Sequence, residues 1–348
     1  AANYTVKAKG GSEAAKNTTD NKYDQGNYDV VIKDAATYTY GSYNVSIQPG
    51  GFTINQKDIT DQTDADYDVT ITVADAGTYD GTAKKPEITS AKFGTFDVTY
   101  NELTDESYSN NTNAGENTAS VTVTGNGNYK GTRTINFSIA QRALTITANN
   151  ATVTYSELEG KMEEKKFESV TVTGLADADA ELAEKIANFD ESVDNFSGTL
   201  TITYTGNSSV GSHASSLVPA GLTATNYDIT YVNGDLEITH DIAYVKVNNA
   251  TVIYGETPSF TYTYVSGLKS NEESIWASII TGTPAEYVIG GDKNSNGDPT
   301  VGNHSVSLKE DEDGNVEGLS ASNYIIKNVV DAAEYGVLTV SQRPIKIT

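Results

Sequence analysis

The chain has 348 residues, of which 37% are hydrophobic, and it carries no cysteine and a formal net charge of −24. Because so acidic a chain repels nucleic-acid phosphates and anionic lipid, we expect neither nucleic acid nor a membrane surface as a partner. The lack of cysteine excludes a disulfide framework and thiolate metal sites, although it does not exclude an extracellular location.

Targeting and membrane segments are not visible in the sequence. There is no signal peptide pattern, and no apolar run approaches the length of a membrane span. We therefore expect no membrane insertion in this segment and place any export signal or anchor outside it. The length alone favours two or three domains.

A short joint sequence recurs along the chain and divides it into modules. It is Ile139–Leu144, with copies at Ile54–Ile59 and Val340–Ile345 and a degenerate copy at Ile238–Ile242. Apolar and polar residues alternate before and after each copy, which is typical of half-buried strands. The pattern predicts that the last strand of one module passes over two or three residues into the first strand of the next. The modules would have about 85 to 100 residues, an ordinary size for small β domains.

The first two modules are predicted to be built of strands alone. Residues 1–56 form an incomplete module, the closing half, with strands at Gln25–Ile32 and Tyr43–Ile47. Residues 57–141 form a complete all-β, immunoglobulin-like module without helical periodicity. Its Tyr79–Thr82 contains Asp-Gly, which supplies the positive φ of a tight hairpin turn.

The third and fourth modules, residues 142–240 and 241–342, are copies of each other. The matching segments are Asn149–Tyr155 with Asn248–Tyr254, Val210-Gly211 with Val301-Gly302, and Asn226-Tyr227 with Asn323-Tyr324. Residues 343–348 then correspond to the first strand of a following module.

Each of these two modules contains one predicted helix. In the third it is Asp179–Phe189, where Leu182, Ile186 and Phe189 share one face and Asp177 or Asp179 caps the first turn. In the fourth it is Asn271–Ile280, with Ser270 or Asn271 as the cap and an apolar set comprising Ile275, Trp276, Ile279 and Ile280. The order strand, strand, helix and three strands is β-grasp-like. The predicted fold class is mainly β, as tandem modules in a linear rod, with an α+β character in the last two.

The same motifs resemble a known repeat family. Asn149–Tyr155, Asn226-Tyr227 and Gly234–Ile238 are similar to the MBG and YDG-type repeats of bacterial surface adhesins, and the second module resembles related β modules of those proteins. The likeness covers about residues 25–342. It implies a stalk or adhesive segment of a secreted protein at the bacterial cell surface. Ser156, His213 and His304 depart from the family pattern, where glycine and tyrosine are usual.

Catalytic chemistry has little support in the sequence. The three histidines are His213, His240 and His304, and none has the Ser/His/Asp or metal-ligand spacing that a catalytic centre requires. His213 and His304 occupy matching places after a Val-Gly turn, and we interpret both as strand residues and His240 as a spacer. We expect no catalytic residues, no cofactor site and no enzymatic activity.

One loop has the composition of a calcium site. Asp292, Asn294, Asn296 and Asp298 place oxygen side chains at positions 1, 3, 5 and 7, with Gly297 at position 6. The carboxylate expected at position 12 is absent, because Asn303 stands there. The alternative is a hairpin loop that uses the same residues for its turn geometry.

These observations lead to a mechanical hypothesis. Joints of two or three residues leave little freedom between modules, so three modules and a fragment would form a rod on the order of 100 Å long. The expected partners are neighbouring modules of the same protein or identical subunits. Two alternatives remain: glycan- or mucin-binding adhesive modules, and the subunit of an extracellular filament joined by strand exchange through Ile345–Thr348.

Overall fold

The computed structural model describes residues 4–10, 14, 16, 23–32, 38–40, 43–45, 50–60 and 68–346. Small sheets follow one another along the chain, and the mainly β class is confirmed. Within the described ranges, no helix has both the length and the apolar character needed to cross a bilayer.

The first module contains a three-stranded antiparallel sheet, in the order β1-β2-β5, and a separate pair, β3 with β4. Both strands predicted here are present, although positions 46 and 47 of the second lie outside the described residues. The strands are β1 Tyr4–Ala8, β2 Gly26–Ile32, β3 Tyr38–Tyr40, β4 Tyr43–Val45 and β5 Gly50–Ile54.

The second module has two three-stranded sheets, β7-β8-β9 and β10-β11-β13, and a parallel pair, β6 with β12. No α-helix occurs among its described residues, which contain one 3₁₀ turn, Asp105–Ser107. Its core includes Ile59, Val69, Val98 and Val123. The strands are β6 Lys57–Asp58, β7 Val69–Val73, β8 Ile88–Phe93, β9 Phe96–Asp97, β10 Tyr108–Ser109, β11 Gly115–Thr124, β12 Tyr129–Lys130 and β13 Thr132–Ile139.

The third module packs a three-stranded sheet, β16-β14-β21, against a four-stranded one, β15-β22-β19-β18. Alternate residues such as Leu144 and Ile146 on β14, and Leu236 and Ile238 on β22, fill the space between the sheets. The elements are β14 Arg142–Ala148, β15 Ala151–Thr154, α1 Leu158–Glu164, β16 Val170–Thr173, α2 Leu182–Ala187, β17 Phe196–Ser197, β18 Thr201–Tyr204, β19 Gly211–Ala220, β20 Thr223–Ala224, β21 Tyr227–Val232 and β22 Gly234–Thr239.

The fourth module repeats this arrangement with sheets β25-β23-β30 and β24-β31-β28-β27. Its separate core includes Val245, Val306, Leu338 and Val340. The elements are β23 Asp241–Val247, β24 Ala250–Ile253, β25 Tyr262–Ser266, α3 Trp276–Ile279, β26 Thr281–Gly282, β27 Tyr287–Ile289, β28 Gly302–Leu308, β29 Leu319–Ser320, β30 Tyr324–Asn328 and β31 Gly336–Ser341.

The helices are shorter than predicted, and the third module has one more than predicted. The sequence pattern missed α1, whose buried face consists of Leu158 alone. Helix α2 begins at Leu182, after a separate 3₁₀ turn at Asp177–Asp179, and its buried Leu182 and Ile186 are among the predicted face. In module four a 3₁₀ turn, Glu273–Ile275, precedes α3, and Ile275 is 53% exposed rather than part of an apolar face.

The predicted capping residues do not cap these helices. The N-cap position of α2 is Glu181, and that of the 3₁₀ turn before α3 is Glu272, and neither makes a side-chain cap bond. Asp179 is instead turned into a buried cluster described below. The sequence indicated an acidic residue near a helix start, but that residue bonds to another part of the fold.

Two of the joints have the predicted length of two or three residues, and the third is shorter. Two residues separate β5 from β6 and β13 from β14, and His240 alone separates β22 from β23. Beyond β31, residues 342–346 form no strand. Assignment of residues 343–348 to a following module stays a prediction, and positions 347 and 348 lie outside the described residues.

Candidate functional site at the module junctions

A glutamine fastens two of the joints to the module that follows. The Gln141 Nε2 lies 3.3 Å from the carbonyl oxygen of Ala224, 3.0 Å from that of Thr225 and 3.3 Å from that of Tyr227. The Gln56 Nε2 likewise donates to Gly127, at 2.8 Å. Since the amide is shared among carbonyls of a turn, the joint is held from the side as well as through its backbone.

The first strand after each joint pairs in parallel with a later strand of the same module, and an Asn-Tyr pair lies at the start of that later strand. Tyr129, Tyr227 and Tyr324 align with Lys57, Arg142 and Asp241, the first residues of β6, β14 and β23, in parallel pairs. The asparagine is therefore placed at the edge of its module, next to the module before it.

That asparagine caps a backbone N–H group of the preceding module. The Asn226 Oδ1 accepts from Ala114 N at 2.9 Å, and Asn323 Oδ1 accepts from Val210 N at 3.4 Å. The first junction has the same bond, from Gln25 N to Asn128 Oδ1 at 2.8 Å. Gln25, Ala114 and Val210 all precede a glycine that opens a strand. One recognition element thus occurs at three boundaries.

A carboxylate flanked by two tyrosines lies beside this asparagine between modules two and three. The Tyr79 hydroxyl, from module two, donates to Asp179 Oδ2 at 2.9 Å, and the Tyr227 hydroxyl, from module three, donates to the same oxygen at 2.5 Å. The rings meet edge to face with centroids 5.5 Å apart. All three side chains are buried, so the bonds are made away from water. We call this set the tyrosine–carboxylate cluster.

The boundary between modules three and four contains a second such cluster. The Tyr155 hydroxyl donates to Glu272 Oε1 at 2.9 Å, and the Tyr324 hydroxyl donates to Glu272 Oε2. The rings again meet edge to face, at 5.5 Å. The Lys269 Nζ lies 3.7 Å from the centre of the Tyr155 ring, close enough for a cation–π contact. Glu272 is half-buried, so this second cluster is more open to solvent than the first.

The surroundings raise the pKa of the cluster tyrosines. Burial, with the hydrogen bond to Asp179, raises the pKa of Tyr79 to about 12. Burial, followed by the bond to the carboxylate, also raises the pKa of Tyr155, Tyr227 and Tyr324. A phenol that donates to a carboxylate in a dry site gives up its proton reluctantly, so the hydroxyls stay donors through the neutral range.

The Asp80-Gly81 turn also belongs to the junction. Its Gly81 has a φ of 82°, as the sequence indicated, but strands β7 and β8 are not joined by a tight hairpin there. The turn instead packs on module three, where a Cβ at Gly81 would lie 2.4 Å from the Cβ of Ala178. The glycine is therefore needed for close approach between modules as well as for its backbone conformation.

The histidines hold loops within their modules. The His304 side chain is buried, with Nδ1 3.0 Å from the Gly290 carbonyl oxygen and Nε2 2.7 Å from that of Thr300. The His213 Nε2 lies 2.8 Å from the Ser209 carbonyl oxygen. The equivalent positions thus fasten equivalent loops, between β27 and β28 and between β18 and β19.

The predicted calcium loop lies at the end of module four. The Asn294 Oδ1 accepts from the N–H groups of Asn296 and Asp298, at 2.9 and 3.0 Å, and its Nδ2 donates to the Tyr254 hydroxyl at 3.0 Å. These bonds are those of an Asx-type turn. Across the described ranges, no three His, Asp or Glu side chains are grouped to hold a metal ion. Calcium binding at Asp292, Asn294, Asn296 and Asp298 stays a prediction.

Sequence reasoning did not identify the tyrosine–carboxylate clusters. The available signals were the repeated Asn-Tyr pair and the tyrosine that ends Asn149–Tyr155 and Asn248–Tyr254, both at module spacing. The carboxylates also stand at matching places, five residues after Gly174 and Gly267, although one is Asp179 and the other Glu272 and the residues between differ.

Comparison with protein families bears on the third module. Residues 144–237 match the family model of the MBG domain, YGX type. The match covers nearly all of the third module, which we call the MBG domain below. Its Tyr155 and Tyr227, which belong to different junctions, both lie within the matched segment. A comparison with curated proteins gives no match.

The MBG domain is thus joined to its neighbours on both sides by the same chemistry. It receives Tyr79 from module two at Asp179 and presents Tyr155 to Glu272 of module four. Module four has the same sheet orders as the MBG domain.

Proposed function

We propose that this chain is a stalk segment of a secreted bacterial surface adhesin or fibre, located outside the cell, whose stacked modules hold binding elements at a distance. The observation that carries the proposal is the recurrence of one junction chemistry at successive boundaries, around joints of one or two residues. The MBG match of the third module supports a repeat-built extracellular protein. We assign the chain no enzymatic activity.

The stiffness of such a stalk follows from where the junction bonds lie. A joint alone would permit bending, as flexible linkers do. The Asn226 bond to Ala114 and the Tyr79 bond to Asp179 lie to the side of the joint backbone, so bending in most directions would lengthen or break at least one of them. Because these groups are buried, breaking a bond without replacing it costs about 1–3 kcal/mol.

The charge of the chain suits a long extracellular spacer. A formal net charge of −24 keeps molecules apart and discourages the exposed edges of the sheets from pairing between chains. The expected partners are neighbouring modules and identical subunits, rather than nucleic acid or lipid.

Small-angle X-ray scattering of the whole chain tests the proposal. A rigid stack gives a maximum dimension on the order of 100 Å and a scattering curve typical of a rod. A six-residue Gly/Ser insertion after Ala140 should convert that curve to one of swivelling bodies, whereas the same insertion after Asn296, an exposed loop position, should leave it unchanged. A compact particle, or equal effects of the two insertions, would contradict the stalk.

A further inference from the structure

We propose that the end of module four is a docking surface for a further β module that presents a carboxylate together with an Asn-Tyr pair. The surface, called here the end face, consists of Ile253, Tyr254, Asn294 and Val301. The inference deepens the proposed function and rests on it, since it names the chemistry by which the stack would continue.

Tyr254 is the third member of a series that includes Tyr79 and Tyr155. In each case the tyrosine N–H bonds to the carbonyl of the residue that precedes Gln141, His240 or Gln342, the equivalent positions of the repeated joint sequence. The acceptors are Ala140, Thr239 and Ser341, at 2.9, 3.0 and 2.9 Å. The backbone therefore places Tyr254 in its module as the first two tyrosines are placed in theirs, and both of those donate to a carboxylate of the next module.

Val301 likewise continues the series of strand-opening positions after Ala114 and Val210. These residues precede Gly115, Gly211 and Gly302, which align with Ile139, Ile238 and Val340 on the strands that lead into the joints. The N–H groups of the first two are capped by an asparagine of the next module.

Residues of the end face are more exposed to solvent than Ala114, which is covered by the next module. Ala114 is 5% exposed beneath module three, whereas Val301 is 48% exposed and the neighbouring Ile253 is 38% exposed. Ala114, which is covered at its boundary, thus has an uncovered equivalent in Val301 of module four.

The Tyr254 hydroxyl has a proton that it can donate to a carboxylate. Its oxygen accepts from Asn294 Nδ2 at 3.0 Å, so its own proton is free to be donated elsewhere. Within the described part of the chain, no Asp or Glu oxygen accepts that proton. A carboxylate like Asp179 or Glu272 would complete the bond, and an asparagine like Asn226 would cap the Val301 N–H. The occupant is therefore a module with both groups on one face.

An extended chain tests the docking directly. Residues 1–342 are followed by a second copy of residues 241–346, so that the copy offers its own carboxylate and Asn-Tyr pair to the end face. Amide hydrogen exchange at Val301 is the readout. We expect exchange at least about tenfold slower in the extended chain than in the original chain, because the N–H gains an acceptor and is covered by the appended module.

Tyrosine variants test whether the slower exchange at Val301 depends on the proposed contact. Tyr254→Phe should reverse most of the slowing in the extended chain and change Val301 exchange little in the original one. Tyr335→Phe, at the opposite end of β31, should do neither.

In a second extended chain, residues 1–342 are followed by a copy of the MBG domain, residues 142–240. This appended module supplies Asp179 and Asn226 in place of Glu272 and Asn323. The proposal is overturned if Val301 exchange is unchanged with either appended module. It is also overturned if Tyr254→Phe changes Val301 exchange equally in the original chain and in the extended chain. If either result is found while the original chain still scatters as a rod, the docking surface is wrong but the stalk proposal is not contradicted.

Discussion

Tyr79 and Tyr227 come from consecutive modules, and their hydroxyl groups donate to a single oxygen of Asp179. Their exposed fractions are 4% and 2%, so neither hydroxyl can turn to bulk water if the carboxylate is lost. The Asp179 carboxylate is therefore the acceptor for a buried hydroxyl from each of two modules. Its contribution to the free energy of unfolding can be measured by substitution.

Replacing that carboxylate should weaken the junction. Asp179→Ala leaves two buried hydroxyls without their acceptor, and we expect a loss of about 3 kcal/mol in the free energy of unfolding. Urea unfolding followed by circular dichroism measures the loss. Asp177→Ala is the matched control, because Asp177 is exposed in the same 3₁₀ turn and should change stability by less than about 0.5 kcal/mol. Equal losses for the two variants would contradict the role given to Asp179.

The joints could be predicted from the sequence because their signal is local. Alternation around Gln141 identifies β13 and β14 without knowledge of anything distant, and the observed burial of Ile139, Leu144 and Ile146 follows it. The Asn-Tyr repeat was also visible. These features depend on strand periodicity, which two-sheet modules impose on every strand.

The clusters could not be predicted in the same way. Tyr79 and Asp179 are 100 residues apart, and the local pattern around Asp179 is equally typical of a helix cap. Module duplication relates Asp179 to Glu272, since each stands five residues after the glycine of a matching Gly-Leu pair, Gly174 and Gly267, but that spacing does not show which side chains the carboxylates bond. Helix α1 escaped prediction because a single buried leucine gives no periodicity.

The asparagine cap should stabilise the same boundary through the backbone. Asn226→Ala leaves the buried Ala114 N–H without an acceptor, and we expect a loss of about 1–3 kcal/mol with faster amide exchange at Ala114. Asn323→Ala removes the equivalent cap, which is longer and half-buried, so its cost should be smaller. Slow exchange at Ala114 in the first variant would show that another group had replaced the cap.

Glycine at position 174 should be indispensable for a steric reason. Its φ is 101°, and an added Cβ would lie 2.4 Å from the carbonyl oxygen of Ala143 on the neighbouring β14. We expect Gly174→Ala to lower the free energy of unfolding by about 2 kcal/mol or more.

Gly160 is the matched control for that substitution. It lies in α1 with no atom within 4 Å of the added Cβ, so Gly160→Ala should raise stability by up to about 1 kcal/mol. Thermal unfolding of both variants separates the outcomes, and a destabilised Gly160→Ala together with a tolerated Gly174→Ala would reverse the assignment.

Alkaline pH should loosen the first cluster. The pKa of Tyr79 rises from 10.0 to about 12 on folding, so in this range the unfolded chain loses the proton first. The stabilisation is therefore complete below about pH 10 and is lost as the pH rises through the folded value. The free energy of unfolding, measured in urea from about pH 9 to about pH 11, should fall more steeply for the native chain than for Tyr79→Phe, which lacks this ionisation. Parallel slopes for the two proteins would mean that Tyr79 keeps its ordinary pKa, and that the junction does not hold its hydroxyl against the carboxylate.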